Sequence, residues 1–160
     1  MNAVAAAGSG FLLAVLWFDL MFDVQTRGHA GAVLPADVLA SISAYYRRVT
    51  TDANPMGRLV GAVMLVTLIA IVVEIIDGSY PWWIGWLSLA AAASAVTLTF
   101  ARTIRTAVRL GHATDPLDVQ THCARTICRD HVFCLGAMSV VAGLQLAARL
   151  AAGTSPWNWL

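Results

Sequence analysis

Four long apolar blocks constrain this chain more than any other feature of its sequence. They cover residues 4–22, 59–76, 83–100 and 132–150. A helix needs about 18–20 consecutive apolar residues to cross the hydrocarbon core of a bilayer, and each block is that long. The blocks therefore predict an all-α integral membrane protein, built as a four-transmembrane-helix bundle.

The composition agrees with this class, since 59% of the 160 residues are hydrophobic and only 12% are charged. A soluble domain usually carries about twice that share of charge. We expect one polytopic membrane domain over residues 1–160, with transmembrane helices at about 4–23, 55–76, 83–100 and 132–151. The first block is predicted to stay in the membrane rather than to be cleaved, because no Arg or Lys precedes it and no A-x-A site follows it.

The arginines are distributed unevenly along the chain. There is no lysine, and nine of the ten arginines flank the first and third connections between the blocks. The positive-inside rule then predicts that both connections face the cytoplasm and that both termini lie outside. The absence of lysine and the abundance of alanine favour a bacterial inner membrane. Tryptophans would form an aromatic belt at the outer interface: Trp82, Trp83, Trp86, Trp157 and Trp159.

The lipid bilayer is the partner that this distribution predicts, and the near-neutral net charge of +1 indicates no nucleic-acid partner. A protein partner, or self-association through the transmembrane helices, is also expected. The arginines predicted to contact anionic lipid or a partner are Arg47, Arg48, Arg102, Arg105 and Arg109. The last three could equally form a solvated face of a helix.

Helical patterns continue outside the apolar blocks. Residues 36–49 are typical of a short amphipathic helix, which would lie in the membrane surface or pack on a partner. The third and fourth helices are predicted to extend into the cytoplasm over about 101–110 and 116–131, with Gly111 ending the former.

The stretch from His112 to Cys134 holds three of the four histidines and all three cysteines. At about 100° per residue, a helix places Asp118, His122, Arg125 and Arg129 on one face. Cys123, Asp130, His131 and Cys134 fall on the opposite face. The two helical histidines of this stretch therefore cannot bind one metal, and reducing conditions favour free thiols.

Asp19 and Asp23 lie four residues apart on one face of the first helix. A carboxylate near the membrane needs a partner, and we expect an arginine of another helix, or else a metal or proton site. Asp19, Asp23 and His131 are the metal candidates. The predicted polar cluster at the cytoplasmic face comprises Asp19, Asp23, Asp118, His122, Arg125, Arg129 and His131.

Few polar residues interrupt the membrane part of the predicted helices. Gln145 is expected to bond to a neighbouring helix, whereas Glu74 and Asp77 are predicted to be solvated residues at a helix end. Gly57 and Gly61 form a G-x-x-x-G pattern, which would permit close helix contact.

Three functions compete at this point. The leading hypothesis is a non-catalytic accessory, assembly or interaction subunit of a membrane complex, since no chain of acidic groups crosses the membrane as in a proton-coupled transporter. The alternative is a membrane-embedded metal- or haem-dependent redox enzyme, which would use Asp19, Asp23, His122 and His131 on a lipophilic substrate at the cytoplasmic interface. The third is an oligomeric channel. Four helices with polar cytoplasmic ends are similar to the plan of small bacterial membrane proteins that resemble anthrone oxygenases, and this likeness assigns no residue a role.

Overall fold

The structure is a computed structural model that describes residues 2–78 and 81–153, and within these residues the chain is helical with no strand. Two of the tryptophans predicted at the outer interface, Trp157 and Trp159, lie outside the described residues. The α-helices are α1 Asn2–Asp23, α2 Ala36–Arg47, α3 Asn54–Ile76, α4 Trp82–Leu98, α5 Ile104–His112 and α6 Leu117–Gly153.

Within the described residues, four helices are long and apolar enough to cross a membrane, as the four apolar blocks predicted. They cover Ala3–Gly28, Pro55–Ile76, Trp82–His112 and Leu117–Leu150. α1 packs against α3 and α6, and α4 packs against the same two helices. The bundle therefore runs in the order α1, α3, α4, α6 around its axis. We call the end that carries α2 and α5 the α2 end.

The core of the bundle lies between these four helices, and its main cluster is apolar. It is formed by Ala5, Leu12, Ala70, Ile71, Ala92, Ala95, Cys134, Met138 and Val141. Large apolar side chains also cover the outside, among them Trp17, Phe18, Leu65, Ile69 and Leu146. An exposed apolar surface of this extent is one that lipid would cover.

A glycine lies at a close helix contact at Gly8, whereas no other described helix approaches the G-x-x-x-G pattern of Gly57 and Gly61. A Cβ at Gly8 would lie 2.1 Å from Thr67 Oγ1, so α1 and α3 approach closely there. A Cβ at Gly57 or Gly61 would meet nothing within 4 Å. The predicted close contact at Gly57 and Gly61 is therefore wrong, because the first turns of α3 stand away from the other helices.

A second hydrophobic core lies at the α2 end. It contains Leu34, Leu39, Ile42, Tyr46, Ala107, Leu110, Cys123, Ala124 and Ile127. The apolar stripe of α2 thus packs against α5 and α6 of its own chain. The location of this helix in the membrane surface stays a prediction. Arg47 and Arg48 remain exposed at the end of the helix.

Gly111 has a different role from the predicted one. α5 continues to His112, and Ala113 ends it in the left-handed conformation with φ 53°. A Cβ at Gly111 would lie 2.9 Å from Arg47 N and 3.0 Å from Arg47 Cα. The missing side chain therefore allows the backbones of α2 and α5 to touch, which brings α2 over the end of the bundle.

The helix of the third apolar block changes its winding between α4 and α5. Residues Thr99–Thr103 form a π-helical turn, which widens the helix by one residue. Asp130 of α6 accepts hydrogen bonds from both Arg102 and Thr103 beside this turn. The predicted helical continuation through 101–110 is present. Its arginines do not share one role, because Arg102 pairs with Asp130 and Arg109 pairs with Asp115.

The prediction for Glu74 is wrong. Its carboxylate is only 3% exposed, and Gln145 Nε2 of α6 donates a hydrogen bond of 2.8 Å to its Oε2. The expected bond from Gln145 to a neighbouring helix is therefore confirmed, and its acceptor is this buried carboxylate. The pair ties α3 to α6 at the end of the bundle opposite α2.

Candidate functional site

A buried polar cluster lies where α1, α2 and α6 meet, and Asp23 is at its centre. Asp23 is 0% exposed. Tyr46 Oη donates to Asp23 Oδ1 over 2.6 Å, and His131 Nδ1 lies 2.7 Å from Asp23 Oδ2. Because an ionised carboxylate only accepts, Nδ1 of the histidine carries the hydrogen of this bond. Asp23 therefore fixes both the orientation of the imidazole and the position of its proton.

Asp19 forms the second half of the cluster, one helical turn before Asp23. Tyr45 Oη donates to Asp19 Oδ1 over 2.5 Å, and the Tyr45 ring stacks on Phe22 with centroids 4.0 Å apart. Asp19 Oδ2 lies 4.0 Å from His131 Nε2. The imidazole therefore lies between two carboxylates. Asp19 accepts a hydrogen bond from Tyr45, and Asp23 accepts one from Tyr46.

The local sequences explain how five side chains converge. The spacing of four residues places Asp19 and Asp23 on one face of α1, and Tyr45 and Tyr46 follow each other on the buried side of α2. His131 faces inward from α6, on the side opposite His122. α2 supplies its two hydroxyls only because the second core holds it over the bundle.

Burial and the two nearby carboxylates raise the pKa of the Tyr46 hydroxyl well above its usual value, and the pKa of Tyr45 rises for the same reasons. The loss of solvation and the negative carboxylates both disfavour a phenolate. Both phenols therefore stay protonated at neutral pH and act as hydrogen-bond donors to the aspartates.

An apolar cavity of about 470 Å³ opens beside the cluster. Asp19, Tyr45, Tyr46 and His131 line one end of it, while Asp23 stands behind the histidine. The remaining walls are mainly apolar and include the threonines Thr50, Thr99 and Thr103. On the side of α3 and α4 the apolar lining includes Met56, Gly57, Val60, Gly61, Met64, Val96 and Phe100. Pockets of this volume accept small organic ligands, with a few polar groups that fix their orientation.

Gly57 and Gly61 help to keep this cavity open. Both glycines line it, and neither would place a Cβ near another residue. The stretch that the sequence marked as a helix contact is thus part of a cavity wall, because α3 diverges from its neighbours at the α2 end.

The two ring nitrogens of His131 have different surroundings. Nδ1 is bonded to Asp23, whereas the ring as a whole borders the cavity and Nε2 approaches only Asp19. A histidine held by a carboxylate in this way can accept a proton on Nε2, since both carboxylates stabilise the resulting imidazolium. The arrangement is thus suited to general acid–base chemistry on a molecule in the cavity.

The predicted metal candidates do come together, but not as ligands. Asp23 and His131 Nδ1 are bonded to each other, and no group of three or more His, Cys, Asp or Glu residues in the described part of the chain is arranged to hold a metal ion. The partners of Asp19 and Asp23 are tyrosines and a histidine, so the expected arginine partner is wrong.

The other predicted site residues lie apart from the cluster. Asp118, His122 and Arg129 are exposed on the outer face of α6. Arg125 donates to the carbonyl oxygens of His29, Gly31 and Ala32, which holds the first loop against α6. The pairing of this face with Asp19 and Asp23, which the sequence allowed, does not occur.

The arginines expected to contact lipid or a partner divide into two groups. Arg102 pairs with Asp130, and Arg109 pairs with Asp115 through two hydrogen bonds of 2.8 Å and 3.0 Å. The Arg109 guanidinium holds the pKa of the Asp115 carboxyl below its usual value. Arg47, Arg48 and Arg105 are exposed. The three cysteines are buried and free, as predicted.

Sequence reasoning missed Tyr45 and Tyr46 as site residues. Their positions in the apolar stripe of α2 were typical of packing residues, and Tyr46 does belong to the second core. The sequence did contain one indication of their role. A buried tyrosine hydroxyl needs a hydrogen-bond partner, and buried carboxylates need donors.

Comparison with known proteins gives no relative, since no protein-family model, curated protein or solved structure matches this chain.

Proposed function

We propose that this chain binds a lipophilic small molecule in the cavity between its helices and that His131 transfers a proton to or from that molecule. The observation that carries the proposal is the position of His131, which Asp23 orients from behind while the imidazole borders an apolar cavity. Neither the cavity nor the cluster alone would indicate a reaction, but together they supply a binding volume and a base.

The energetics of the cluster support a functional role. Asp23 lies fully out of water, and Asp19 and His131 are mostly buried. Replacing such buried groups by well-packed apolar residues is often neutral or stabilising. Buried ionisable groups that adjoin a cavity are therefore frequent at functional sites. Hydrogen bonds from both tyrosines reduce the free-energy cost of burying the carboxylates. They do not explain why ionisable groups occupy this buried position.

The walls define the class of molecule. Nearly the whole lining is apolar, and the polar groups gather at one end. A fitting ligand is mainly hydrocarbon or aromatic, with one acidic O–H or activated C–H group. The proposed step moves that proton to His131 Nε2, which leaves an imidazolium between Asp19 and Asp23 and an anion on the ligand. Reprotonation of the ligand at another atom returns the histidine to its neutral form.

The orientation in the membrane is part of the proposal. We place the α2 end on the cytoplasmic side of a bacterial inner membrane, with both termini outside, since nine of the ten arginines flank the two connections at that end. The ends of α4 and α6 that pack with α2 would then extend beyond the hydrocarbon core. A lipophilic ligand would reach the cavity from the inner leaflet, where the first turns of α3 stand apart.

A bound molecule and isotope exchange would test this function. Protein purified from native membranes in mild detergent is extracted with organic solvent, and the extract is analysed by mass spectrometry. The holoprotein is then incubated in D₂O, and deuterium uptake at a carbon position of the bound molecule is followed. We expect wild type and His122→Asn to bind and exchange, His131→Asn to bind without exchange, and Gly61→Leu to bind no ligand.

The outcomes separate the competing functions. Exchange that is as fast in His131→Asn as in wild type would refute the proposed base. Binding without exchange in any variant would favour the non-catalytic accessory function, in which case a partner complex should copurify with the chain. Absence of any bound molecule, even when wild-type protein is loaded with a mixed lipid extract, would refute the proposed ligand binding and proton transfer.

A further inference from the structure

A second site lies on the outside of the bundle, in a groove between α4 and α6. The groove has a volume of about 760 Å³, and its residues are Ala93, Ser94, Thr97, Leu98, Ala101, Arg102, Arg129, Asp130 and Phe133. The groove and the cavity beside His131 share no lining residue, although the same two helices contribute to both. We propose that this groove binds one anionic phospholipid of the surrounding leaflet.

The floor of the groove suits an acyl chain. Small residues line the α4 side, where Ala93, Thr97 and Ala101 follow each other at spacings of four. On the α6 side the Phe133 ring is 50% exposed and borders the same groove. Small side chains beside an aromatic ring leave a channel along the helices, into which a hydrocarbon chain packs without displacing any side chain.

The charges at the α2 end of the groove suit a phosphate. Asp130 is 1% exposed, and its charge is balanced by Arg102, whose Nε donates to it over 3.0 Å. Thr103 Oγ1 donates a further hydrogen bond to it over the same distance. The Arg102 side chain is nevertheless 54% exposed, so part of its guanidinium faces outward. Arg129 is exposed and makes no ion pair with a described residue. The group therefore carries one net positive charge toward the groove.

The position of these charges along α6 fits a lipid rather than a soluble anion. Arg129 and Asp130 come just before the apolar stretch of residues 132–150, so the guanidinium groups lie where polar sequence meets apolar sequence. In a bilayer this boundary holds the phosphates, and arginines there attract anionic headgroups. A free phosphate would gain only the charges, whereas a phospholipid also fills the apolar floor.

Native mass spectrometry measures this binding directly. The full-length protein in neutral detergent is titrated with equal amounts of phosphatidylglycerol and phosphatidylcholine of the same chain length. Removing one arginine from a headgroup contact should reduce affinity about fivefold. We therefore expect Arg129→Gln to lose about fivefold in phosphatidylglycerol binding, and the control Arg105→Gln, which removes an exposed arginine outside the groove, to lose less than twofold.

A second variant tests the floor without touching a charge. Thr97→Phe fills the groove, and it should release phosphatidylglycerol while the thermal unfolding of the lipid-free protein stays close to that of wild type. Equal losses in Arg129→Gln and Arg105→Gln would overturn the proposal, as would equal binding of the two lipids. Displacement of the lipid by inorganic phosphate at the same concentration would show that the apolar floor contributes nothing, and would also overturn it.

Discussion

The two tyrosines of α2 provide a matched test of how the cluster is stabilised. Tyr46→Phe and Tyr45→Phe each remove one hydroxyl and keep the ring. Tyr46 donates to a carboxylate that is 0% exposed, whereas Tyr45 donates to Asp19, whose side chain is 16% exposed. The two variants therefore differ mainly in whether water can replace the lost donor.

The expected magnitudes follow from this difference in burial. A hydrogen bond to a charged group contributes about 1.5–3 kcal/mol, and a buried acceptor left without its donor loses that amount in full. Tyr46→Phe should thus lower the free energy of unfolding by about 2–3 kcal/mol. Tyr45→Phe should lower it by about 0.5–1 kcal/mol, because water solvates Asp19 in place of the hydroxyl.

Thermal unfolding of the purified protein in one detergent measures both variants. For a chain of this length, 1 kcal/mol corresponds to a shift of roughly 2–4 °C, so Tyr46→Phe should unfold about 4–12 °C below wild type. Equal shifts for the two variants, or a larger shift for Tyr45→Phe, would refute the assignment of Asp23 as the buried centre of the cluster. A double variant with Asp23→Leu should cost less than the sum of the single changes, since both partners are then removed.

Further outcomes are expected elsewhere in the molecule. Gly111→Ala should destabilise by about 1–2 kcal/mol in thermal unfolding, because its Cβ meets the backbone of α2; Gly136→Ala, with nothing within 4 Å, should not, and equal effects would contradict the proposed contact. Gln145→Leu should cost about 1–3 kcal/mol by leaving Glu74 without its donor, and adding Glu74→Leu should recover most of it; an additive loss would contradict the pairing. Wild-type stability should fall as pH rises above about 10, since the unfolded chain then loses protons that both cluster tyrosines keep in the folded state. Phe variants of these tyrosines should flatten that part of the pH profile, and an unchanged profile would contradict the raised pKa values.

The sequence predicted the bundle well because membrane crossing leaves a strong signal in composition. Four apolar blocks correspond to four long helices, and helical geometry placed His122 and His131 on opposite faces of one helix. Both results depend on local properties of one segment. No knowledge of a neighbouring helix was needed to obtain them.

The site itself was only half visible in the sequence. The pairing of Asp23 with Tyr46 joins residues 23 positions apart on different helices, and it depends on α2 docking through Gly111. An amphipathic stripe shows that a helix has an apolar partner but does not identify it. Glu74 was misjudged for a similar reason, because its nearness to a helix end suggested water while Gln145 from α6 covers it.

The uninterrupted helix α6 makes three polar ties at different heights. Asp130 bonds to Arg102, His131 to Asp23, and Gln145 to Glu74. One residue inserted between 131 and 145 would rotate the part of α6 that carries Gln145 by about 100° relative to the part that carries Asp130 and His131. No rotation of the whole helix would then satisfy all three ties. We therefore expect the segment to be intolerant of insertions and deletions, even where individual side chains tolerate substitution, because the spacing of 14 positions between His131 and Gln145 sets the relative direction of the two side chains.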